Sequence, residues 1–404
     1  MRILIADDDK DTRLLVSKTL EQWGHEALSA ANGLEAWELL QKHQISFVIS
    51  DWMMPKMDGL ELCRHIRATN FPRYIFIILL TAKNDKNDLI EGMEAGADDF
   101  IVKPFNRGEL KVRIRAGERI LNLQKDLEEQ NKKLSEAYSL ISKDLEAAAE
   151  MQQSLLPSTA STISGINFEW IFLPCTFVAG DIFNFFRLDE HHIGFYLLDV
   201  AGHGIPAAMQ SVTLNKLLSP LPSDGSPLKH FIPNPPHYAI TPPAKAIKEL
   251  NNRFQNEFDA MQYFTMIYGI IHTKDGQIRI SQAGHPSPIF IKHRNGVSLI
   301  GSGGFPVGML SDMEYDELEF DFHQGDRLFL YSDGITECTN KQRKQFSVER
   351  LMECLQEIKD LPLKEVMRIL KQSLYRWRGS GEFDDDVTML GIERSLDPHL
   401  FPTG

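Results

Sequence analysis

The sequence predicts a multi-domain protein: a doubly wound α/β domain, a long helical coiled-coil linker, and an α+β domain built as a β-sandwich with helices. Three observations carry this. Over residues 1–119, apolar runs of strand length alternate with amphipathic helical patterns. Over 120–157 there is no internal proline until Pro157, and apolar residues recur on steps of three and four. Over 158–395, dense strand patterns are interrupted by helical pairs, ahead of a short tail at 396–404. A chain of 404 residues exceeds a single ordinary core, in keeping with this division.

In the first domain, the run from Arg2 to Ala6 ends in Asp7, Asp8 and Asp9. The next apolar run, 45–50, ends at Asp51; a third, 74–80, ends at Thr81; a fourth, 99–102, ends at Lys103. Helical patterns lie between them at 14–23, 34–42 and 60–68. Alternation of this kind predicts a parallel sheet with helices on both faces, and such sheets gather ligand groups at their carboxyl edge. Carboxylates crowded there repel one another unless a hard cation with oxygen ligands joins them, so a Mg²⁺ site is expected. With Lys103 and Thr81 at the same edge, the set suits phosphoryl transfer to an aspartate.

The segments ADDD, DWMMPKMDG, LLTA and FIVKPF resemble those of a two-component receiver domain, CheY-like in fold. The resemblance implies Asp51 as the phospho-acceptor, with an upstream histidine kinase as donor. It implies Asp7 and Asp8 as the acid pair and the Met53 carbonyl as a further Mg²⁺ ligand. Thr81, Lys103 and Phe100 would read out the phosphoryl group.

In the linker, Ile120, Leu123, Leu127, Gln130, Leu134, Ala137, Ile141, Asp144, Ala148, Met151 and Leu155 form an a/d seam. The polar seam positions Gln130 and Asp144 weaken a coil but set its register. The reading is a parallel homodimer; a helix lying against its own chain is the alternative. Pro157 ends the helix. The segment AAAEMQQSLLP resembles the linker that enters stress-response phosphatases of the RsbU and SpoIIE kind.

In the second domain, strands are expected at 168–172, 193–198, 264–272, 277–282, 289–291, 327–331 and 387–392, with helices at 205–218, 244–257, 347–357 and 363–376. The proline-rich stretch 219–243 is expected to be a surface excursion or flap. The stretch FYLLDVAGHG is the centre of the domain: a buried-strand pattern hands the carboxylate of Asp199 to a glycine-rich turn. Asp181 follows Ala179-Gly180, Asp333 follows an apolar run and precedes Gly334, and Asp384, Asp385 and Asp386 precede the last strand. Acids at strand ends in one domain point to an oxygen-lined site for two divalent metals. His203, beside two glycines, reads as a loop residue rather than a ligand.

Two metals in such a cage would activate a water for phosphoester hydrolysis without a covalent intermediate. A cysteine-based route fails on spacing: the residues six places beyond Cys63, Cys175, Cys338 and Cys354 are Thr69, Asp181, Lys344 and Asp360, none an arginine. No Walker A pattern is present. The segments AGD, DVAGHG, QAGHPSP, GGFPVG, LYSDGITE and DDDVT resemble, in order, the motifs of PPM-type (type 2C) serine/threonine phosphatases of the SpoIIE branch. The resemblance implies Asp199 as a bridging ligand with the Val200 carbonyl beside it, Asp181 on one metal, and Asp333 and Asp385 on the other, with Mn²⁺ or Mg²⁺ as the ions. Asp386 in place of Asp385 stays open. The branch usually has glycine at Ala179 and aspartate at Asn184, and the lost charge at Asn184 is expected to lower metal affinity.

The resemblance thus implies a response regulator that dephosphorylates a small phosphorylated anti-sigma factor antagonist, controlled through Asp51. A catalytically silent adaptor with the same fold is the alternative, and four desolvated acids argue against it. The faint AGDIFN echo does not make the GG[DE]EF turn of a diguanylate cyclase. A net charge of −13 and the lack of a basic recognition helix disfavour nucleic acid and anionic membrane surfaces. The widely spaced cysteines, the immediate strand at the N-terminus and the lack of a long apolar segment suggest a cytoplasmic protein.

Overall fold

The computed structural model describes residues 1–82, 86–157, 161–202, 204–221, 226–257, 263–293, 296–301, 303–379 and 381–395. His203 and the tail 396–404 lie outside the described residues. The chain divides into two compact units, Met1–Leu140 and Ile141–Gly404.

The first unit runs β1 (Arg2–Ala6), α1 (Lys10–Gln22), β2 (Glu26–Ala30), α2 (Gly33–Lys42), β3 (Phe47–Asp51), α3 (Gly59–Ala68), β4 (Phe76–Thr81), α4 (Lys86–Glu94), β5 (Asp99–Val102) and most of α5 (Arg107–Gln153), whose residues from Ile141 on belong to the second unit. All strand pairs are parallel, in the order β2-β1-β3-β4-β5. The expected doubly wound sheet is present, with one apolar cluster on each face. Its helix starts are written in the sequence: Asp9 caps α1 by accepting from the amides of Asp11 and Thr12, and Asp58 and Glu61 form a capping box on α3. Asp9 is therefore spent on its helix, which leaves Asp7 and Asp8 for the sheet edge. The edge strand β2 and the helix α4 had no counterpart among the expected elements. Only Ala30 of β2 is buried, so the apolar alternation that marks a strand is missing there.

Helix α5 spans 47 residues. Leu110 and Ile114 near its start are buried in the cluster under the sheet. Farther along, Ile120, Leu123, Leu127, Leu134 and Ile141 of the expected seam are all exposed, at 45% to 68%.

The second unit adds β6 (Ser161–Ile163), β7 (Ile166–Leu173), β8 (Ile182–Arg187), β9 (His192–Val200), α6 (Ile205–Leu217), β10 (Lys229–Phe231), β11 (Tyr238–Ile240), α7 (Pro243–Glu257), β12 (Phe264–His272), β13 (Gln277–Ala283), β14 (Ile289–Ile291), β15 (Val297–Leu299), β16 (Glu317–Asp321), β17 (Arg327–Tyr331), α8 (Asp333–Thr336), α9 (Val348–Ile358), α10 (Leu363–Arg378) and β18 (Val387–Arg394). Two antiparallel sheets, β16-β13-β12-β9-β8 and β15-β14-β17-β18-β7-β6, enclose an apolar layer that includes Phe183, Phe195, Leu197, Leu328 and Leu390. Outer clusters join α6 and α7 to the first sheet and α9 and α10 to the second. The described part of 219–243 is more ordered than a flap. It holds the β10–β11 hairpin, flanked by buried Leu228 and Thr241, and Pro233, Pro235 and Pro236 fall in its turn, where no ladder amide is needed.

Antiparallel pairing sets the site. Ile182 opposes Leu198, so the start of β8 and the end of β9 share one end of the first sheet. Tyr331 opposes Met389 and Leu173 opposes Val387, so the end of β17, the start of β18 and the end of β7 share one end of the second. Asp181, Asp199, Asp333, Asp385 and Asp386 all lie at those ends.

Candidate functional sites

At the carboxyl edge of the parallel sheet, ligand oxygens of Asp7, Asp8 and Asp51 lie within 4.8 Å of one another. Asp7 is fully buried at the end of β1, and Asp51 is the last residue of β3. Lys103 Nζ stands 2.8 Å from Asp7 Oδ2 and 2.9 Å from Asp51 Oδ1, so the edge is already arranged around positive charge. Burial raises the pKa of Asp51, Lys103 opposes that rise, and Asp7 adds to it. Three oxygen donors at this spacing fit a hard cation. Thr81 is buried at the end of β4, where its carbonyl accepts from the Lys103 amide at 2.7 Å. Phe100 is half-buried at the start of β5, and Met53 is 66% exposed in the loop after β3.

The second acid site sits where the two sheets of the sandwich meet. Asp181 is 1% exposed, and neither of its carboxylate oxygens has a hydrogen-bond partner among the described residues. Burial, then Asp199 and Asp386, push its pKa well up. The hydroxyls of Ser332 and Thr388 act the other way, yet Ser332 Oγ donates to the Asp386 carbonyl at 3.1 Å. Asp199 is pushed up to about 8 by burial, then by Asp333, Asp385 and Asp386. Asp333 is pushed up to about 6 by burial, then by Asp385. Acids from four separate segments thus feel one another's charge across one small space. A buried carboxylate with no donor is costly unless a cation takes its charge, and an all-oxygen set is the kind Mg²⁺ and Mn²⁺ accept. The acids present are compatible with a divalent ion.

Glycine makes these close approaches possible at two points. A Cβ on Gly334 would lie 2.1 Å from the Asp386 carbonyl oxygen, so only glycine lets the β17–α8 turn touch the 384–386 segment. A Cβ on Gly180 would lie 3.1 Å from the Val200 carbonyl oxygen, which places that carbonyl beside the loop carrying Asp181.

The paired acids Asp385 and Asp386 separate by environment. Asp386 is 4% exposed; its Oδ1 accepts from the Cys175 amide at 2.8 Å and its Oδ2 from the Gly180 amide at 2.7 Å. It ties the end of β7 to the Asp181 loop, and both oxygens are engaged by backbone. Asp385 is exposed, and its Oδ1 accepts from the Asp386 amide at 2.8 Å. Ligand atoms of Asp385, Asp386 and Cys175 lie within 4.8 Å of one another, so the two acids differ in burial and partners but share one cluster. Asp384 is drawn into a pair with Arg378.

Asn184 meets α6. Its amide donates to Asn215 Oδ1 on α6 at 3.2 Å, and Tyr196, which pairs with Asn184 across β8–β9, donates to the same oxygen. Residues of alternate parity point to opposite faces of a strand. Asn184 therefore serves the helix-covered face of the sheet.

Two residues with no role expected from the sequence stand close behind the site. His285, 2% exposed, has Nδ1 2.7 Å from Thr265 Oγ1, and Thr265 pairs with Asp199 across β9–β12. Burial pushes its pKa down to about 3, which keeps the ring neutral. Gln152, on the last turn of α5, is 3% exposed and bonded to Ala179. For His285 the motif QAGHPSP was the signal; Gln152 lies in the segment AAAEMQQSLLP, where nothing set it apart from Gln153.

The profile of the family described as "Stage II sporulation protein E (SpoIIE)" matches residues 189–395, just over half of the chain. The chain belongs to this family. Its SpoIIE region is preceded by a response regulator receiver domain, matched over residues 3–115. The chemotaxis protein CheY homolog of Campylobacter jejuni is 38% identical over 116 residues, which are 28% of this chain and 89% of that protein. The probable transcriptional regulator ycf27 of Porphyridium aerugineum is 41% identical over 115 residues, 28% of this chain and 47% of that protein, so the match spans about half of its length. Among solved structures, the SiaA-PP2C domain of Pseudomonas aeruginosa aligns with a TM-score of 0.53 at 18% identity, covering 65% of this chain and 99% of that one. The SpoIIE region therefore has the PP2C fold. No helix among the described residues is long and apolar enough to cross a membrane.

Proposed function

We propose that this SpoIIE-family chain is a response regulator whose output is metal-dependent hydrolysis of phosphoserine or phosphothreonine on a small cytoplasmic partner of the anti-sigma factor antagonist kind. The observation that carries the reading is the buried, unpartnered carboxylate of Asp181 among acids that raise one another's pKa. The proposed division is a receiver at 1–119, a linker at 120–157, a phosphatase domain at 158–395 and a tail at 396–404.

In this reading Asp181, Asp199, Asp333 and Asp385, with the Val200 carbonyl, hold two Mn²⁺ or Mg²⁺ ions. When bound, the ions polarise a phosphoryl oxygen and bring the pKa of a water toward neutrality. The chain's own part is placement: Asp386 fixes the amides of Cys175 and Gly180, and His285 stands neutral behind the strand that delivers Asp199. No side chain is asked to act as a nucleophile.

In the receiver, Asp51 accepts a phosphoryl group from a histidine kinase, with Mg²⁺ held by Asp7, Asp8, Asp51 and the Met53 carbonyl. Lys103, already within 2.9 Å of Asp51, pairs with the added charge, and Thr81 and Phe100 respond to it. Phosphate release from a phosphoserine-bearing antagonist protein tests both halves. Release is expected with Mn²⁺ and not with a chelator, and beryllofluoride with Mg²⁺ is expected to change its rate. Asp51→Asn should erase the beryllofluoride response while leaving Mn²⁺-dependent release. Metal-independent release, or a response that survives in the variant, contradicts the reading.

The exposed seam on α5 supports pairing with a second copy of the chain. A side chain such as Leu127, 61% exposed here, has its apolar surface to gain from burial in a parallel dimer. Leu127→Lys should lower the sedimenting mass from dimer to monomer; a wild-type chain that already sediments as a monomer would contradict the dimer.

A further inference from the structure

Between Met151, 72% exposed, and the exposed Gln153, the side chain of Gln152 alone turns inward at the end of α5. It is 3% exposed, and its amide group is fully used. Nε2 donates to the Ala179 carbonyl at 2.7 Å and to Ser211 Oγ at 3.1 Å, and Oε1 accepts from the Ala179 amide at 3.0 Å. One side chain thus satisfies both backbone groups of a single residue, in the way a neighbouring strand would. Ser211 is itself anchored, donating to the Ala208 carbonyl at 2.9 Å on α6.

The contact matters because Ala179 lies two residues before an acid of the site. The intervening amide, of Gly180, is held by Asp386, and the side chain after it is Asp181, whose carboxylate has no donor of its own among the described residues. The backbone that carries this carboxylate is held from one side by Gln152 and from the other by Asp386. A buried amide-to-backbone pair of this kind loses both partners if the helix end shifts, because unpaired buried polar groups are costly.

We propose that Gln152 is a positioning residue for Asp181: it clamps Ala179 to the last turn of α5 and so ties the affinity of the acid site for its ion to the placement of that turn. The clause about the ion rests on the phosphatase reading above; the clamp itself does not. Removing an outer partner that orients a metal ligand typically costs about 10- to 100-fold in metal affinity, and the same scale is expected for a clamp two residues from the ligand.

The test uses the full chain and the variant Gln152→Met, which fills the same space without hydrogen bonds, with Gln153→Ala as the exposed control. Two readouts are taken. Hydrogen exchange at the Ala179 amide in metal-free protein reads the clamp, and calorimetric Mn²⁺ titration reads its consequence. Exchange is expected to quicken at least about tenfold in Gln152→Met and to stay unchanged in Gln153→Ala, because the amide loses its side-chain acceptor. Mn²⁺ binding is expected to weaken by about tenfold or more, while the turnover number at saturating Mn²⁺ returns toward wild type. Unchanged exchange overturns the clamp. Faster exchange with unchanged Mn²⁺ affinity overturns the link to the ion, leaving a contact that serves folding alone. A wild-type chain that binds no Mn²⁺ overturns the phosphatase reading and the ion clause together, and the exchange result then decides the clamp by itself.

Discussion

Replacing Asp199 by asparagine is expected to lower the proposed Mn²⁺-dependent phosphatase turnover by about a thousandfold or more and to leave the chain folded. An ion acting on a phosphoryl group supplies several kcal/mol, and roughly 4 kcal/mol is about a thousandfold in rate. Asp199 is the acid whose charge is coupled to Asp333, Asp385 and Asp386 at once, so its loss disturbs the whole set. Folding moves the other way. The carboxyl of Asp199 is raised from 3.8 to about 8 in the metal-free fold. Between those values the unfolded chain releases a proton that the folded chain keeps, so wild-type stability falls as pH rises through that window. Asparagine has no proton to release. The melting temperature of metal-free Asp199→Asn should therefore gain on wild type from pH 4 toward pH 8, and Mn²⁺ should close the gap by stabilising wild type alone. Full turnover in the variant, or a melting difference that shrinks as pH rises, counts against the site.

Asp386→Ala has the largest expected effect on stability. Two buried backbone amides, those of Cys175 and Gly180, lose their charged acceptor in one step. Hydrogen bonds to charged groups contribute about 1.5–3 kcal/mol each, so the loss is on the order of 3–6 kcal/mol. That is a large share of the ~5–15 kcal/mol by which a domain is stable. Asp385→Asn, at an exposed neighbour, should change urea stability by no more than about 0.5 kcal/mol and still cut turnover. Equal stability losses in the two variants would mean that the adjacent acids do not divide their work in this way.

Where the chemistry of a segment was strong, the sequence sufficed. The strands Arg2–Ala6, Phe264–His272, Ile289–Ile291 and Arg327–Tyr331 have the bounds that their apolar runs suggest, because each is buried on both faces or ends at a fixed acid or turn. Edge strands were missed for the opposite reason. In β16, Glu317, Leu318, Glu319 and Asp321 face solvent, and a charged edge carries no alternation to detect. The acids of the second site were legible as strand-end residues, yet Asp385 and Asp386 differ only in which one meets the amides of Cys175 and Gly180, more than 200 positions away. The expectation about Asn184 came from the aspartate usual there in the branch; in the fold its amide meets Asn215 on α6, a partner no sequence pattern shows. Within AAAEMQQSLLP, Gln152 and Gln153 could not be told apart, because a buried glutamine and a solvated one look alike until the partner backbone is known.

The central claim is that Asp181, Asp199, Asp333 and Asp385 gather around a shared pair of ions. Anomalous diffraction from a crystal of the full chain grown with manganese measures this directly. Two manganese peaks are expected at oxygen-ligand distance from those four carboxylates, with Asp386 still bonded to the amides of Cys175 and Gly180. An empty pocket, or a manganese held by Asp386 with Asp181 turned away, would contradict the claim.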